Sequence, residues 1–227
     1  MSVVNLPRLL VTDSPFGDSF QRARTNDQKE VRRQAIMDAA RAHLTEVGFE
    51  CFSMGPLAKA AGVARATLYL YFATREELLY ALHLEALHAW KDAFFERIEP
   101  EMTIEAYLAT YFDTAQRTPL VLQTLPRVPS VLERNLSVKS LVDGKRQNRA
   151  VAVAVAAHMT KVLGVPEQTA YGLLRGLLAL LIGTTHGLQR PEVTLDRLPE
   201  DVQQELAAMN PRAAFLEAGI WLVRGAL

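Results

Sequence analysis

Residues 53–78 read SMGPLAKAAGVARATLYLYFATREEL, and this stretch indicates how the N-terminal part of the chain is built. Ser53 is a suitable N-cap, so a short helix is predicted to begin beside it. Gly62 marks a turn, because glycine adopts positive φ without steric cost. A second short helix follows, with Leu68 and Phe72 spaced i, i+4 on its inner side. Two short helices joined by a glycine turn form a helix-turn-helix.

The outward side of the second helix carries groups suited to nucleic acid. It combines one guanidinium, one small residue, one hydroxyl and two phenols, from Arg65, Ala66, Thr67, Tyr69 and Tyr71. Such groups suit phosphates and base edges better than they suit water alone. The pattern therefore predicts that this helix enters the major groove of DNA.

The segment resembles the tetracycline-repressor-like (TetR) family, whose pattern is roughly I-A-x-x-A-G-V-S-x-G-T-x-Y-x-Y-F-x-x-K-E-x-L. The matching positions are Leu57-Ala58, Ala61-Gly62-Val63, residues 67–72, Arg75-Glu76 and Leu78, and the similarity continues upstream over residues 36–54. The chain departs from the pattern at Ala64, where the family has a capping serine, at Ala66, often glycine, and at Arg75, usually lysine. Without that serine the start of the recognition helix lacks a side-chain cap.

Helix start and stop signals along the rest of the chain predict an all-α protein of about nine helices, without a strand. The longest predicted helices cover residues 29–47, 74–98, 103–117, 137–163, 166–186 and 211–224. The resemblance implies an N-terminal three-helix DNA-binding domain and a larger helical domain for ligand binding and dimerisation. We divide the chain into a flexible arm (1–26), the helix-turn-helix domain (27–75) and the ligand-binding and dimerisation domain (76–227). The arm either lies along DNA or is a tail without a role.

Charge and composition agree with a cytoplasmic DNA-binding protein. The formal net charge is zero, but residues 22–75 hold nine basic and five acidic side chains, so the positive field is local to the motif. The single Cys51 excludes an intrachain disulfide and a cysteine metal cluster. We expect no signal peptide, no membrane span, no metal and no cofactor.

The predicted helix over residues 166–186 is apolar on nearly all sides, so it must be covered on all sides. The resemblance implies that it forms a four-helix dimer interface with the last helix, which would present two recognition helices to successive major grooves. The alternative is a monomer with a well-filled core. The predicted interface residues are Leu174, Leu177, Leu178, Leu181, Phe215, Ile220 and Trp221.

The resemblance also implies a small, partly apolar effector bound inside the C-terminal domain. The candidate ligand-binding residues are His83, Trp90, Tyr107, Tyr111, Phe112, Gln116, Tyr171, Arg175 and His186. Each of these also fits an ordinary core position. Arg175, if buried, would need an anionic ligand or a carboxylate beside it. We expect the ligand to act through the helix that begins at Thr74, by shifting the dimer between two states.

These observations predict a homodimeric, ligand-responsive repressor that binds an inverted-repeat operator and is released by its effector. Arg65 and Thr67 are the predicted base contacts; Ser53, Tyr69, Tyr71 and Arg75 are the predicted phosphate contacts. No enzyme is expected, because the sequence contains no glycine-rich phosphate loop, HExxH or GxSxG motif. The competing interpretation is a helical ligand-binding or scaffold protein that has kept the fold and lost the DNA activity.

Overall fold

The computed structural model describes residues 15–187 and 195–227, and the side chains of residues 27–186 and 196–227. Within these ranges the chain is all-α, as predicted, with ten α-helices and no strand. In order these are α1 (Pro15–Cys51), α2 (Met54–Ala60), α3 (Arg65–Tyr71), α4 (Arg75–Phe95), α5 (Ile104–Gln116), α6 (Pro119–Thr124), α7 (Val138–Leu163), α8 (Glu167–Gly187), α9 (Glu200–Ala208) and α10 (Pro211–Ala226). Short 3₁₀ and π turns over residues 125–135 connect α6 to α7, and another 3₁₀ turn, Leu195–Arg197, precedes α9.

The first helix is longer than predicted, since it begins at Pro15 and not at Lys29. No proline or glycine occurs between residues 18 and 47, so nothing in the sequence stops the helix there. Residues 15–26 of the predicted flexible arm are therefore helical, while residues 1–14 lie outside the described residues. At Gly48, the predicted helix end, the backbone is non-helical, with φ 73° and ψ 172°, and the chain changes direction.

The first three helices and the beginning of α4 enclose one hydrophobic cluster. Ile36 and Leu44 of α1, Leu57 of α2 and Leu68 of α3 are fully buried within it. Gly62, with φ 62°, forms the predicted turn between α2 and α3. The short α3 packs against the rest of the domain through Leu68 on its inner side.

A second hydrophobic cluster lies among α4, α5, α7, α8 and α10, and aromatic rings dominate its centre. Trp90 and Phe94 of α4 stack with their ring centroids 5.4 Å apart. Tyr107 and Tyr111 of α5 meet the Phe94 ring edge-on, at 5.3 and 5.5 Å. Tyr111 also stacks on Phe215 of α10 at 5.8 Å. Since the beginning of α4 packs in the first cluster and its end in the second, α4 connects the two parts of the protein.

No single helix among the described residues has the length and apolar composition to cross a membrane. Within the described ranges one pair of helices, α7 and α8, passes that test when taken together, and the two are bent by 112° at their junction. The described residues also contain no group of three or more His, Cys, Asp or Glu side chains that could hold a metal ion.

Candidate nucleic-acid interface and internal cavity

The orientation of α3 follows from Leu68, which is completely buried. With 3.6 residues per turn, Ala66 and Leu70 lie opposite Leu68 and point away from the domain. Both are exposed, and Leu70 is 84% exposed. Thr67 and Tyr71 flank one side of this stripe and are half-buried. Of the predicted DNA-binding residues, Ala66 therefore occupies the centre of the exposed face, and Leu70 is a neighbour that the sequence pattern did not single out.

The other flank of α3 carries a pair of interacting side chains. A terminal nitrogen of Arg65 donates a hydrogen bond to the Tyr69 hydroxyl at 3.3 Å, and the guanidinium carbon lies 5.8 Å from the centre of the Tyr69 ring. Both residues are exposed. As predicted for Ala64, the helix has no side-chain cap. Ser53 occupies the N-cap position of α2, but its side chain makes no capping bond either. The polar groups of Ser53, Arg65 and Tyr69 are therefore accessible to an external partner.

Arg75 is oriented differently from the other predicted phosphate contacts. Its Nε donates to the carbonyl of Phe52 at 2.9 Å, and its two terminal nitrogens donate to the Phe49 carbonyl at 2.5 Å and to Glu76 at 3.3 Å. The guanidinium also lies 5.0 Å from the centre of the Phe49 ring. This geometry places the guanidinium at the end of α1 and uses three of its five N–H groups within the protein, so the predicted phosphate contact stays a prediction.

Glu77 connects the end of the helix-turn-helix to the start of α7. Its carboxylate accepts hydrogen bonds from the backbone N–H groups of Ala73, at 3.0 Å, and Ser137, at 3.3 Å, and from the Ser140 hydroxyl, at 3.1 Å. Thr74, the predicted N-cap of α4, accepts a bond from the Glu77 N–H at 3.0 Å. Burial alone raises the pKa of Glu77, but the hydrogen bonds outweigh it and lower that pKa below its usual value.

Two further ion pairs join α1 to the C-terminal part of the chain. Arg127, in the turns after α6, donates to Glu50 at 2.7 and 3.1 Å, and its guanidinium lies 4.6 Å from the centre of the Phe49 ring. Arg41 of α1 pairs with Glu85 of α4. The end of α1 is therefore held by the segment between α6 and α7, in addition to its contacts with α4.

A cavity of about 680 Å³ lies between α4, α7 and α8, beside the turns after α6. Five predicted ligand-binding residues line it, namely His83, Trp90, Tyr111, Tyr171 and Arg175. Most of the other lining side chains are aliphatic, from α7, α8 and the turns. Arg175 is exposed, so the anionic partner predicted for a buried arginine is not required.

Four predicted ligand-binding residues lie elsewhere. Tyr107 packs edge-on against Phe94, and Phe112 lies 5.2 Å from the Phe215 ring, so both belong to the aromatic core. Gln116 is exposed at the end of α5. The His186 Nδ1 lies 3.3 Å from the Thr185 hydroxyl, and His186 does not line the cavity. Aromatic and polar composition alone did not distinguish cavity wall from core.

Helix α7 contributes a wall of the cavity that was not predicted from the sequence. Lys145, Asn148, Arg149, Ala152 and Val155 recur at i, i+3, i+4, i+7 and i+10 on one face and line the cavity. This spacing is visible in the sequence, but Lys145 and Arg149 are typical of a helix face exposed to solvent. The sequence therefore did not indicate that this face lines a cavity. The amide nitrogen of Asn148 donates to the Tyr80 hydroxyl of α4 at 3.1 Å, which joins α7 to α4 beside the cavity.

His83 is the buried polar residue in the cavity wall, with 1% of its surface exposed. Its Nδ1 lies 2.9 Å from the Thr124 hydroxyl, which itself donates to the Leu120 carbonyl at 2.6 Å. Since that hydroxyl has one hydrogen, the Nδ1–H of His83 is assigned as the donor, which leaves Nε2 as an acceptor. Burial lowers the pKa of His83 to about 4, so the ring is neutral at pH 7.

Most of the predicted dimer residues are covered within the chain itself. Leu174, Leu177, Leu181 and Phe215 are buried in the second cluster, and Leu178 lines the cavity. The sequence of a helix that is apolar all round does not reveal which side faces its own core. For this reason, residues predicted to lie in a dimer interface are instead buried within the chain.

Two predicted interface residues remain at the surface of α10. Trp221 is 65% exposed and Ile220 is half-buried. On α8, which packs against α10, a Cβ atom added at Gly172 or Gly183 would meet no atom within 4 Å. The exposed surface of these two helices therefore includes a strip of α8 without side chains at Gly172 and Gly183, and the large indole of Trp221 on α10.

Comparison with known proteins agrees with this architecture. Residues 36–82 match a family model described as bacterial regulatory proteins of the tetR family, and residues 84–226 match a tetracyclin repressor-like C-terminal domain. The chain belongs to the TetR family. The two matched regions meet within α4, the helix that connects the two hydrophobic clusters.

Among curated relatives, the Fatty acid metabolism regulator protein of Bacillus subtilis is 34% identical over 82 residues, which cover 36% of this chain and 42% of that protein. The transcriptional repressor KstR of Rhodococcus jostii is 30% identical over 142 residues, or 58% of this chain and 62% of KstR. The chain thus aligns with less than two thirds of either relative. A solved regulator from Rhodococcus sp. shares the fold, with a TM-score of 0.57, 16% identity, and coverage of 86% of this chain and 97% of that one.

Proposed function

We propose that this TetR-family protein is a DNA-binding transcriptional repressor and not an enzyme. It binds an inverted-repeat operator as a homodimer, in the cytoplasm where bacterial DNA lies. The observation that carries this proposal is the outward side of α3, opposite the buried Leu68, which offers Arg65 and Tyr69 on one flank and the half-buried Thr67 on the other. A scaffold that had lost DNA binding would have no use for that arrangement. The two curated relatives are themselves named as a regulator and a repressor.

In the proposed dimer, α8 and α10 of two chains form the interface. The strip around Gly172 and Gly183 lets a second helix approach closely, and Trp221 supplies a large apolar anchor next to it. The buried residues Leu174, Leu177, Leu181 and Phe215 support these helices from inside. A two-fold axis through this surface would relate two copies of α3, as an inverted repeat requires.

The proposed effector occupies the cavity between α4, α7 and α8. Aliphatic walls favour a largely apolar molecule, and the volume of about 680 Å³ is in the range of small-molecule sites. The acceptor Nε2 of His83 favours a molecule that also carries a hydrogen-bond donor, such as a hydroxyl. Because burial lowers the pKa of His83 to about 4, this acceptor persists throughout the neutral pH range.

The effector signal would pass through α4 and α7. Both helices line the cavity. Both are also connected to the helix-turn-helix by Glu77 of α4. Its carboxylate accepts hydrogen bonds from Ala73, just after α3, and from Ser137 and Ser140 at the start of α7. A ligand that separates α7 from α4 changes the free energy of this contact. It thereby changes the relative populations of two dimer states.

A binding selection tests the DNA activity. Purified protein would be incubated with fragmented DNA from its own source at about 0.15 M salt, where non-specific contacts are weak. We expect one inverted-repeat sequence from the wild type and a broader, weaker selection from Arg65→Ala. A matched control is Arg146→Ala, because Arg146 is an exposed arginine on α7, far along the chain from α3. Recovery of no preferred sequence by the wild type would favour the scaffold interpretation.

Fluorescence tests the effector site. The chain has two tryptophans, Trp90 in the cavity wall and Trp221 at the surface, so Trp221→Phe leaves one reporter inside the cavity. Primary alcohols with long alkyl chains and their methyl ethers differ in the hydrogen-bond donor. We expect the alcohols to change the Trp90 emission at lower concentration than the ethers, and His83→Phe to remove the difference. Equal responses to both compounds would contradict the role of His83.

A further inference from the structure

Leu70 is the most exposed of the large apolar side chains in the described part of the chain. It is 84% exposed and belongs to neither hydrophobic cluster. Single apolar residues at a surface are common and need no explanation by themselves. Leu70, however, lies in the middle of the outward stripe of α3, one helical turn after the exposed Ala66. The helix therefore presents an apolar centre on the side opposite its buried Leu68.

The polar groups of α3 surround this apolar centre on both sides. Arg65 and Tyr69 lie on one flank, where they bond to each other, and Thr67 lies on the other. The net positive charge of residues 22–75 favours a phosphate-rich partner. A helix that approaches a major groove with this face brings its flanks near the phosphates and its central stripe near the base edges.

The floor of the major groove offers one apolar group, the C5-methyl of thymine; the other base-edge features are hydrogen-bond donors and acceptors. An exposed leucine cannot pair with those polar features. We propose that Leu70, together with Ala66, contacts a thymine methyl in each half of the operator and so selects thymine at that position. This inference rests on the proposed DNA binding through α3, and it adds Leu70 as a specificity-determining residue.

The test uses the operator recovered by the binding selection. Synthetic duplexes replace each thymine in turn by deoxyuridine, symmetrically in both half-sites, which removes the methyl group and leaves every hydrogen-bonding group in place. Covering one methyl group contributes enough free energy for about a fourfold change in affinity. We therefore expect one symmetric replacement to weaken binding of the wild type by about fifteenfold, because two such contacts are lost.

Leu70→Ala should bind thymine and deoxyuridine duplexes almost equally, with unchanged thermal stability, since Leu70 packs in neither cluster. Leu70→Met keeps a long apolar side chain and should retain the preference. Val138→Ala is the matched control, because Val138 is an exposed apolar residue on α7 and should leave the preference unchanged.

Three results would overturn the inference: a selected operator without thymine in the bases facing α3, equal wild-type affinity for every pair of duplexes, or a preference that survives in Leu70→Ala. A wild-type protein that selects no operator would instead contradict the proposed DNA binding, and the inference with it. Failure of the inference about Leu70 is therefore distinguishable from failure of the proposed DNA binding.

Discussion

Removing the Glu77 carboxylate should loosen the connection between the helix-turn-helix and α7. In Glu77→Ala, the N–H groups of Ala73 and Ser137 and the Ser140 hydroxyl lose their acceptor. Ala73 directly follows Phe72, the buried C-cap of α3, and Ser137 is the N-cap of α7. The substitution therefore separates two elements that are about 60 residues apart in sequence.

The size of the effect follows from the number and exposure of these bonds. A hydrogen bond to a charged group contributes about 1.5–3 kcal/mol when it is well shielded from water. Glu77 is half-buried, so water replaces part of each lost bond, and about 0.7 kcal/mol for each bond is a reasonable expectation. Three bonds then contribute about 2 kcal/mol, which corresponds to a decrease in Tm of roughly 4–8 °C for a chain of this length.

The pKa of Glu77 determines how this effect depends on pH. Because its pKa in the folded protein is below the usual value, its contribution is complete above the unfolded-state pKa and is lost as pH falls through the folded-state pKa. The stability difference between wild type and Glu77→Gln should therefore be full at neutral pH and shrink under acidic conditions. Thermal unfolding followed by circular dichroism at several pH values measures it.

Hydrogen exchange locates the change in the structure. Glu77→Ala should accelerate exchange of the amides in residues 73–77 and 137–141 and leave those of α5 unchanged. Ser140→Ala, which removes one of the three bonds, should have about a third of the effect on stability. Glu46→Gln is the control, since Glu46 is an exposed carboxylate of α1. Unchanged Tm and unchanged exchange in Glu77→Ala would show that this carboxylate does not connect the two elements.

The remaining predictions concern packing, assembly and DNA recognition. A Cβ atom at position 144 would lie 2.1 Å from a ring carbon of Tyr80, so Gly144→Ala should destabilise the protein by about 1–3 kcal/mol, as measured by chemical denaturation. Tyr80→Leu should recover part of that loss, and a fully stable Gly144→Ala would show that the ring moves away freely. Trp221→Glu should convert the proposed dimer to monomer in sedimentation velocity without lowering the helix content, and an intact dimer would exclude this surface as the interface. Arg65→Ala should weaken operator binding and also relax its sequence preference, whereas an equal loss on all DNA sequences would limit Arg65 to phosphate contact.

The parts of the fold that local chemistry controls were predictable from the sequence. The positive φ of Gly62 and the burial of Leu68 follow from residue type and from helical periodicity over a few positions. The caps at Thr74 and Ser137 depend on one side chain and a backbone N–H three residues later. Each of these features is contained within one or two helical turns, so no knowledge of the tertiary structure was needed.

The contacts of Arg75 and the wall of the cavity depend instead on the tertiary structure. Arg75 matches a position where the family has lysine, and its sequence neighbours do not reveal that the carbonyls of Phe49 and Phe52 lie within its reach. In the same way, the sequence around Asn148 of α7 is typical of a solvent-exposed helix face. In the structure, however, its side chain donates a hydrogen bond to the Tyr80 hydroxyl of α4 beside the cavity. Residues 23 or more positions apart meet in each case, and periodicity carries no information about such pairs.

The position of α4 explains how one cavity can influence the orientation of α3. His83 and Trp90 lie on the face of α4 that lines the cavity. The same helix begins at Arg75, a few residues after the end of α3. A rigid α4 alone would transmit a ligand-induced tilt, but it would leave the position of α3 dependent on one attachment. Glu77 adds a second attachment through α7, which also lines the cavity. Under the proposed function, a ligand that changes the separation of α4 and α7 would act on both attachments of α3 together, so we expect the two-state response to arise from this pair of helices.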